Sequence, residues 1–398
     1  MPLFPILLLS AAGFTVLTTE FILVGLLPPL ARDLGVSIPQ AGLLVSLFAF
    51  AVAASGPFLT AYFSRFERKR LFVIVLVLFG LSNAAAALAP NLGVMALARL
   101  IPALGVPVFW ALASETAVDL IGHERAGRAI SIISFGVICA TVLGVPIGTL
   151  ISDAYGWRIA FAALSAVAFA KAALLLWFLP GQTRQQDALP LSQQFRVLRD
   201  PLLVGHVALS VVLFTGMFTA YTYLADMLER LAGFDGRWIG WTLMAFGAVG
   251  LIGNSLGGRM VDRHPIRASL MFSAPMALGL IAVVPAVGSM VGLILALALW
   301  GVTQAALFPV SHVRVMKAAP GASAFAASLN VSGANLGIGV GALIGGRVID
   351  AVGVGGLGYA AAAIVAVAIA LSLWLMAAQA RAAADAVADA ESCADGAT

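Results

Sequence analysis

Charge is scarce in this sequence. Only 10% of its 398 residues are Asp, Glu, Lys or Arg, against roughly 25% in a soluble domain. Hydrophobic residues make up 62%, and the mean hydropathy is +1.04. So little polar material cannot coat so much apolar volume, which excludes a water-soluble enzyme. Disorder is excluded as well, because its signature is low hydrophobicity. The net charge of +4 is spread too thinly to form a basic domain, so no nucleic-acid partner is expected. Cysteine is equally sparse. Cys139 and Cys393 cannot make a disulfide framework, and neither has a Cys or His neighbour at metal-ligand spacing. No metal or cofactor is expected. A P-loop, an HExxH helix and a GxSxG nucleophile turn are all missing. The chain therefore has no visible means of hydrolysing ATP and no nucleophile–base pair.

What the sequence has is long apolar runs. A membrane-spanning helix needs about 20 mostly apolar residues, and twelve such runs follow one another. Six lie near 4–27, 40–63, 71–89, 92–117, 127–151 and 159–179, and six near 203–225, 238–258, 269–288, 291–313, 324–346 and 355–377. The first is longer than the apolar core of a signal peptide, about 7–15 residues, and reads as a retained span. The one long polar interruption, 181–201, divides the chain into halves at 1–180 and 202–377. The Ala-rich segment 378–398 reads as a frayed or disordered tail. The fold class expected is an all-α membrane protein of twelve transmembrane helices in two pseudo-symmetric six-helix halves.

Positive charge decides the orientation, because cytoplasmic loops carry excess Lys and Arg. The loops after runs two, four, six, eight and ten hold fourteen of them, among them Arg65, Arg68 and Lys69; the opposite loops hold Arg32, Arg158, Arg230, Arg237 and Arg347. Both termini are thereby expected in the cytoplasm. The halves also share a pattern. Gly144, Ile147, Gly148 and Asp153 in run five recur as Gly341, Ile344, Gly345 and Asp350 in run eleven, 197 positions later, and Arg65 recurs as Arg263, 198 positions later. Parallel repeats of this kind are a known transporter architecture.

A charge inside a bilayer is costly, about 2.5–3.5 kcal/mol on insertion scales, so each one needs a reason. Glu20 lies about eight residues below the expected outer end of helix one at Pro28. Arg99 lies about eight residues into helix four from the same side. At 1.5 Å per residue the two are level. They are either a proton-coupling pair or a static ion pair between helices. Lys171, in helix six, is expected to snorkel along its own stem. Glu115 and Asp119, at the inner end of helix four, can meet Arg65, Arg68 or Lys69 as an inner gate, or stand as a solvated helix end. Phe109 and Trp110 on helix four, Phe214, Phe218 and Tyr221 on helix seven, Gln304 on helix ten, and Asn330 and Asn335 on helix eleven offer aromatic surface with a few amides. That suits a small-molecule site and equally suits helix packing. His206, His264 and His312 read as interfacial. Gly144, Pro146 and Gly148 on helix five, with Gly341 and Gly345 on helix eleven, permit close helix contact.

Twelve spans in two halves, with basic loops after spans two and eight, resemble the major facilitator superfamily, and more narrowly its twelve-helix drug:proton antiporter branch. The segment Thr60–Lys69 is similar to the family's loop signature, with Ser64 and Glu67 in place of its Asp and second Gly. Asp262 and Arg263, with Gly258 and Arg267, repeat it in the second half. Arg99 matches the family's helix-four Arg, and Gly144–Gly148 its helix-five antiporter signature. Thr18–Phe21 with Gly25 and Pro28 resemble exporters of sugars, purine nucleosides and chloramphenicol. The resemblance implies a proton-coupled secondary transporter, not an enzyme, exporting a small organic molecule from an inner membrane. Its partners would be that substrate, protons and lipid, with one copy sufficing. Glu20 and Arg99 would couple the proton, and Arg65, Arg68, Lys69, Glu115, Asp119, Asp262 and Arg263 would form the cytoplasmic gate. Alternatives are an uncoupled facilitator and a non-transporting membrane receptor.

Overall fold

The computed structural model describes residues 3–63, 66–121, 126–181, 200–261, 264–319 and 323–395. It holds twelve helices long and apolar enough to cross a membrane. Helices dominate because lipid offers backbone groups no partner, so each span must satisfy its own N–H and C=O. In chain order they are α1 (Leu3–Phe21 and Leu23–Leu34), α2 (Ile38–Phe63), α3 (Arg68–Ala87), α4 (Leu92–Ile121) and α5 (Ala126–Cys139, a π turn Ala140–Gly144, then Val145–Tyr155). Next come α6 (Trp157–Phe178), α7 (Pro201–Tyr221 and Leu224–Ala232), α8 (Gly236–Val261), α9 (Pro265–Ala286), α10 (Met290–Lys317), α11 (Ser323–Val352) and α12 (Leu357–Asp395).

Helix α1 outruns its expected end. It is interrupted at Ile22 and then passes through Pro28 and Pro29 to Leu34. Two prolines forgo two backbone donors but hold the φ a helix needs. Glu20 is therefore deeper from that end than the expected stop at Pro28 implied. Helix α12 continues through the Ala-rich segment to Asp395; alanine is the strongest helix former. The linker residues 182–199 lie outside the described residues.

The twofold repeat is visible in the packing. In α5, a side chain at Gly144 would collide with Thr18 of α1, and one at Gly148 with Ile22. In α11, Gly341 lies against Thr215 and Thr219 of α7, and Gly345 against Thr219 and Tyr223. Thr18 and Thr215, like Gly144 and Gly341, are 197 positions apart. Their hydroxyls even make the same bond four residues back, to Phe14 at 2.7 Å and to Val211 at 2.8 Å. Pro146 breaks the symmetry. It lacks an N–H, and the π turn Ala140–Gly144 just before it absorbs the lost bond. At the equivalent place α11 is unbroken.

All four positive-φ glycines among the described residues lie in turns at one end of the bundle: Gly35, Gly156, Gly233 and Gly353. At this closed end the halves meet. Arg32 is paired with Glu229, Gly236 lies against Asp153 and Gly346 against Pro39. The seams between halves, α2 with α11 and α5 with α8, stay closed as far as Gly56 beside Ser332 and Gly247 beside Thr141. At the opposite, splayed end Phe58 and Tyr62 on α2, Phe135 on α5 and Ile252 on α8 are exposed.

Candidate functional site

Glu20 and Arg99 meet, but through the backbone. The Arg99 guanidinium donates to the carbonyl of Thr19 and, at 2.9 Å, to that of Glu20. Both carbonyls lie in the last turn before α1 is interrupted at Ile22. An arginine fork can occupy two acceptors at once, and here it takes two that the break leaves without an intrahelical partner. Phe48 of α2 lies under the guanidinium, 4.6 Å from its centre. Asn83 of α3 donates to the Thr19 hydroxyl at 3.1 Å, so four helices converge here. Arg99 is 1% exposed, whereas Glu20 is only half-buried. The acid keeps its side chain beside a fixed positive charge without being consumed by it.

Phe21, next in the chain, reaches the other half and lies 5.7 Å from Phe218 of α7. From there aromatic rings continue without a gap. Phe218 stacks on Phe214 at 6.4 Å and meets Tyr221 edge-on at 5.4 Å; Phe214 meets Phe308 at 5.0 Å. Tyr221 stacks on Phe246 at 5.6 Å, and Phe246 meets Trp300 at 5.4 Å. Trp300 donates to Gln304 at 2.7 Å.

Within this wall, Phe214, Phe218 and Gln304 are buried and Tyr221 is part-exposed. On α4, Phe109 is buried against Phe72, 5.6 Å away, while Trp110 is part-exposed and covers Gly13 of α1. Gly13 and Glu20 are two helical turns apart on the same face. Asn330 is buried and accepts from Ser210 at 2.7 Å. Asn335 is buried, donates to Val331 at 3.1 Å, and its carbonyl oxygen has no partner. Of the sequence-selected substrate residues, Trp110 and Tyr221 thus present surface, one from each half.

At the splayed end the described residues of the first half form an ion-pair clamp. Arg68, 4% exposed, donates to Glu115 at 2.8 Å and to Asp119 at 2.7 Å. This clamp ties α3 to α4. Lys69 is half-buried beside it. Arg65, Asp262 and Arg263 lie outside the described residues. At the closed end, Asp33 receives Arg158 and, at 3.2 Å, the Trp157 indole. The Arg158 bond holds the Asp33 carboxyl below the usual carboxylate range.

Three buried features depart from the sequence reading. Lys171 does not snorkel: its ammonium crosses to α1, donating to the Ala11 carbonyl and to the Thr15 hydroxyl at 2.7 Å, over the Phe14 ring. A nearby acceptor satisfies it better than a stretch to the surface. His206 is buried instead of interfacial, held between Arg314 and Gln379 at 3.0 Å each. Arg314 itself, 1% exposed, was indistinguishable in sequence from a loop cation. Among the described residues no group of His, Cys, Asp and Glu could hold a metal ion.

Comparison with known proteins agrees with this architecture. The sequence profile of the Major Facilitator Superfamily matches residues 9–290 and 232–392. The chain is 33% identical to the "Uncharacterized MFS-type transporter YtbD" of Bacillus subtilis (strain 168) over 357 residues, 88% of this chain and 89% of that protein. It is 30% identical to the "Inner membrane transport protein YdhP" of Escherichia coli (strain K12), over 90% of each. Its fold is similar to a D-xylose-proton symporter (TM-score 0.76, 18% identity, 94% of this chain and 97% of that one). It is also similar to a bacterial homolog of the human lysosomal transporter Spinster, in an inward-facing and unoccupied conformation (TM-score 0.75, 16% identity, 94% and 96%).

Proposed function

The chain belongs to the Major Facilitator Superfamily of membrane transporters, and on that premise we propose that it is a proton-coupled exporter of a small organic molecule. The observation that carries this reading is the placement of Glu20. It is an acid inside the first span, half-buried, level with the contact between the halves, and beside an arginine bound to its own main chain. Burial favours the neutral carboxyl and the nearby guanidinium the charged one. A movement that changes either shifts the balance, so the acid can load a proton in one conformation and release it in another.

The aromatic wall supports the substrate half of the reading. Trp110 and Tyr221 present part-exposed aromatic surface from opposite halves, which suits a planar or drug-like organic molecule better than an inorganic ion. Alternating access would then be a rocking of two bodies. The glycine contacts α1–α5 and α7–α11 keep each body rigid, and the seams α2–α11 and α5–α8 are where they part. The loops richer in Lys and Arg lie at the splayed end, so this reading takes that end as cytoplasmic and the substrate as entering there. The Arg68 clamp moves with its own half and shapes the inner rim.

The test uses the purified protein in liposomes with an imposed pH gradient and a panel of labelled sugars, nucleosides, phenicols and cationic drugs. Wild type is expected to move at least one class against its gradient. Glu20→Gln is expected to lose gradient-driven movement while retaining exchange of labelled for unlabelled substrate. Full gradient-driven transport by Glu20→Gln would remove the acid from that role. Equal behaviour with and without a pH gradient would indicate an uncoupled facilitator, and binding without exchange a receptor.

A further inference from the structure

The second half carries a cationic cavity for which transport gives no use. It opens at the splayed end, among α7, α9, α10 and α12, with a volume of about 470 Å³. His206, His264, Arg267, Arg314, Lys317 and Gln379 supply its polar lining; none of the described residues lining it is acidic. Arg314 is the deepest of these. Its guanidinium touches only neutral groups, namely the His206 ring at 3.0 Å, the His206 carbonyl at 2.9 Å and the Ser210 hydroxyl at 2.9 Å. Its Nε has no partner. Asp200, the nearby acid at the start of α7, is committed to capping Leu202 N–H at 2.9 Å.

The repeat makes the cluster conspicuous. In the first half the buried Arg68 is answered by Glu115 and Asp119 at the end of α4. Moving 198 positions on, Glu115 becomes Val313, Asp119 becomes Lys317, Lys69 becomes Arg267 and Arg68 itself becomes Ile266, while the buried arginine of the second half, Arg314, stands at the place of Thr116. The acids of one half are thus replaced by an apolar residue and a cation in the other. A buried charge without a counter-charge is costly, and guanidinium groups match phosphate oxygens with paired bonds.

We propose that this cavity binds the phosphodiester of an anionic phospholipid from the leaflet at the splayed end. Basic pockets between spans near that surface are suited to such head groups. Met271 on α9 and Leu373 and Trp374 on α12, one to two turns further into the bilayer, present the exposed apolar surface along which acyl chains would lie. The site is independent of the transport reading, since none of its residues belongs to the Glu20 region.

The full-length protein, purified in dodecyl maltoside and stripped of lipid, tests this by thermal melting. Phosphatidylglycerol is expected to raise the melting temperature by several degrees through mass action, and phosphatidylcholine with the same chains to do so by much less. Arg267 and Lys317 are exposed, so the double variant Arg267→Gln/Lys317→Gln should fold. In it the phosphatidylglycerol shift is expected to fall at least by half. Arg70→Gln removes an exposed cation elsewhere at the same end and is expected to keep the full shift. An undiminished shift in the double variant, or an equal loss in Arg70→Gln, would overturn the site. Inorganic phosphate protecting as well as phosphatidylglycerol would overturn the lipid and leave a soluble oxyanion as occupant.

Discussion

Phe21 and Phe218 occupy equivalent places in the two halves, 197 positions apart, and their rings lie 5.7 Å from one another. Positions related by a twofold axis can touch only where that axis passes between them. Arg32 and Glu229 are also 197 positions apart and also paired. The two pairs are separated along α1 by eleven residues, about 16 Å of helix. They mark the pseudo-symmetry axis from mid-span to the closed end, and Glu20 adjoins it.

Arg99→Ala is expected to reduce transport about tenfold or more, the equivalent of about 1.4 kcal/mol. Two carbonyls at the α1 break would lose their donors, each at a cost of about 1–3 kcal/mol if no water replaces them. Arg99→Lys should recover part of the melting temperature but little transport, because one ammonium cannot reproduce the planar fork. Gradient-driven flux and thermal melting on the same preparations check both. Normal flux in Arg99→Ala would leave this residue a purely structural tie.

Arg32→Glu should open the closed end. An exposed pair contributes only about 0.2–1 kcal/mol, yet reversing one sign turns attraction into repulsion at the axis, and conformations of a transporter are close enough in energy for that to shift populations. A single cysteine placed at Asp235, in a chain with Cys139 and Cys393 replaced, reports the change as faster thiol labelling. The swap Arg32→Glu/Glu229→Arg should restore the slow rate; failure to do so would mean that the pair does not hold the halves.

Gly144→Val and Gly341→Val should destabilise to a similar degree, about 1–3 kcal/mol each, because the new side chain collides with Thr18 in one half and with Thr215's segment in the other. Melting temperatures of the two variants provide the measurement. A large drop for one and none for the other would contradict the packing equivalence described above.

Acid should release the Asp33 contact. The folded-state pKa of Asp33 is depressed by Arg158, so its stabilisation is present above the unfolded value near 3.8 and lost as pH falls through the folded one. Both side chains are exposed, so the effect is small. Asp33→Asn should lower the melting temperature slightly at pH 6, and the difference should shrink as the pH is taken progressively below 3.8. Parallel melting curves at all pH values would refute the assignment.

Much of this was legible in the sequence. Twelve apolar runs fix twelve spans because lipid leaves the backbone no other choice, and the 197-position recurrence of Gly144 and Gly148 anticipated which helices pack tightly. Depth could be counted, so Glu20 and Arg99 read as level with one another. Lateral direction could not. Nothing in the spacing tells that Arg99 reaches main-chain carbonyls instead of the carboxylate, that Lys171 turns to α1, or that Phe21 completes the aromatic wall. Arg314 and His206 were hidden for a related reason. A cation near a helix end looks like any loop charge until the neighbouring helices close over it.

The place of Glu20 in the second half is taken by Met217, and that of Arg99, in the register that pairs α4 with α10, by Leu297. A duplicated architecture has kept its mirrored joints while confining its mid-bilayer ionisable chemistry to one lobe. Fusing two copies of the second lobe would yield a shell with hinges and aromatic lining but nothing on the axis that can hold a hydrogen ion.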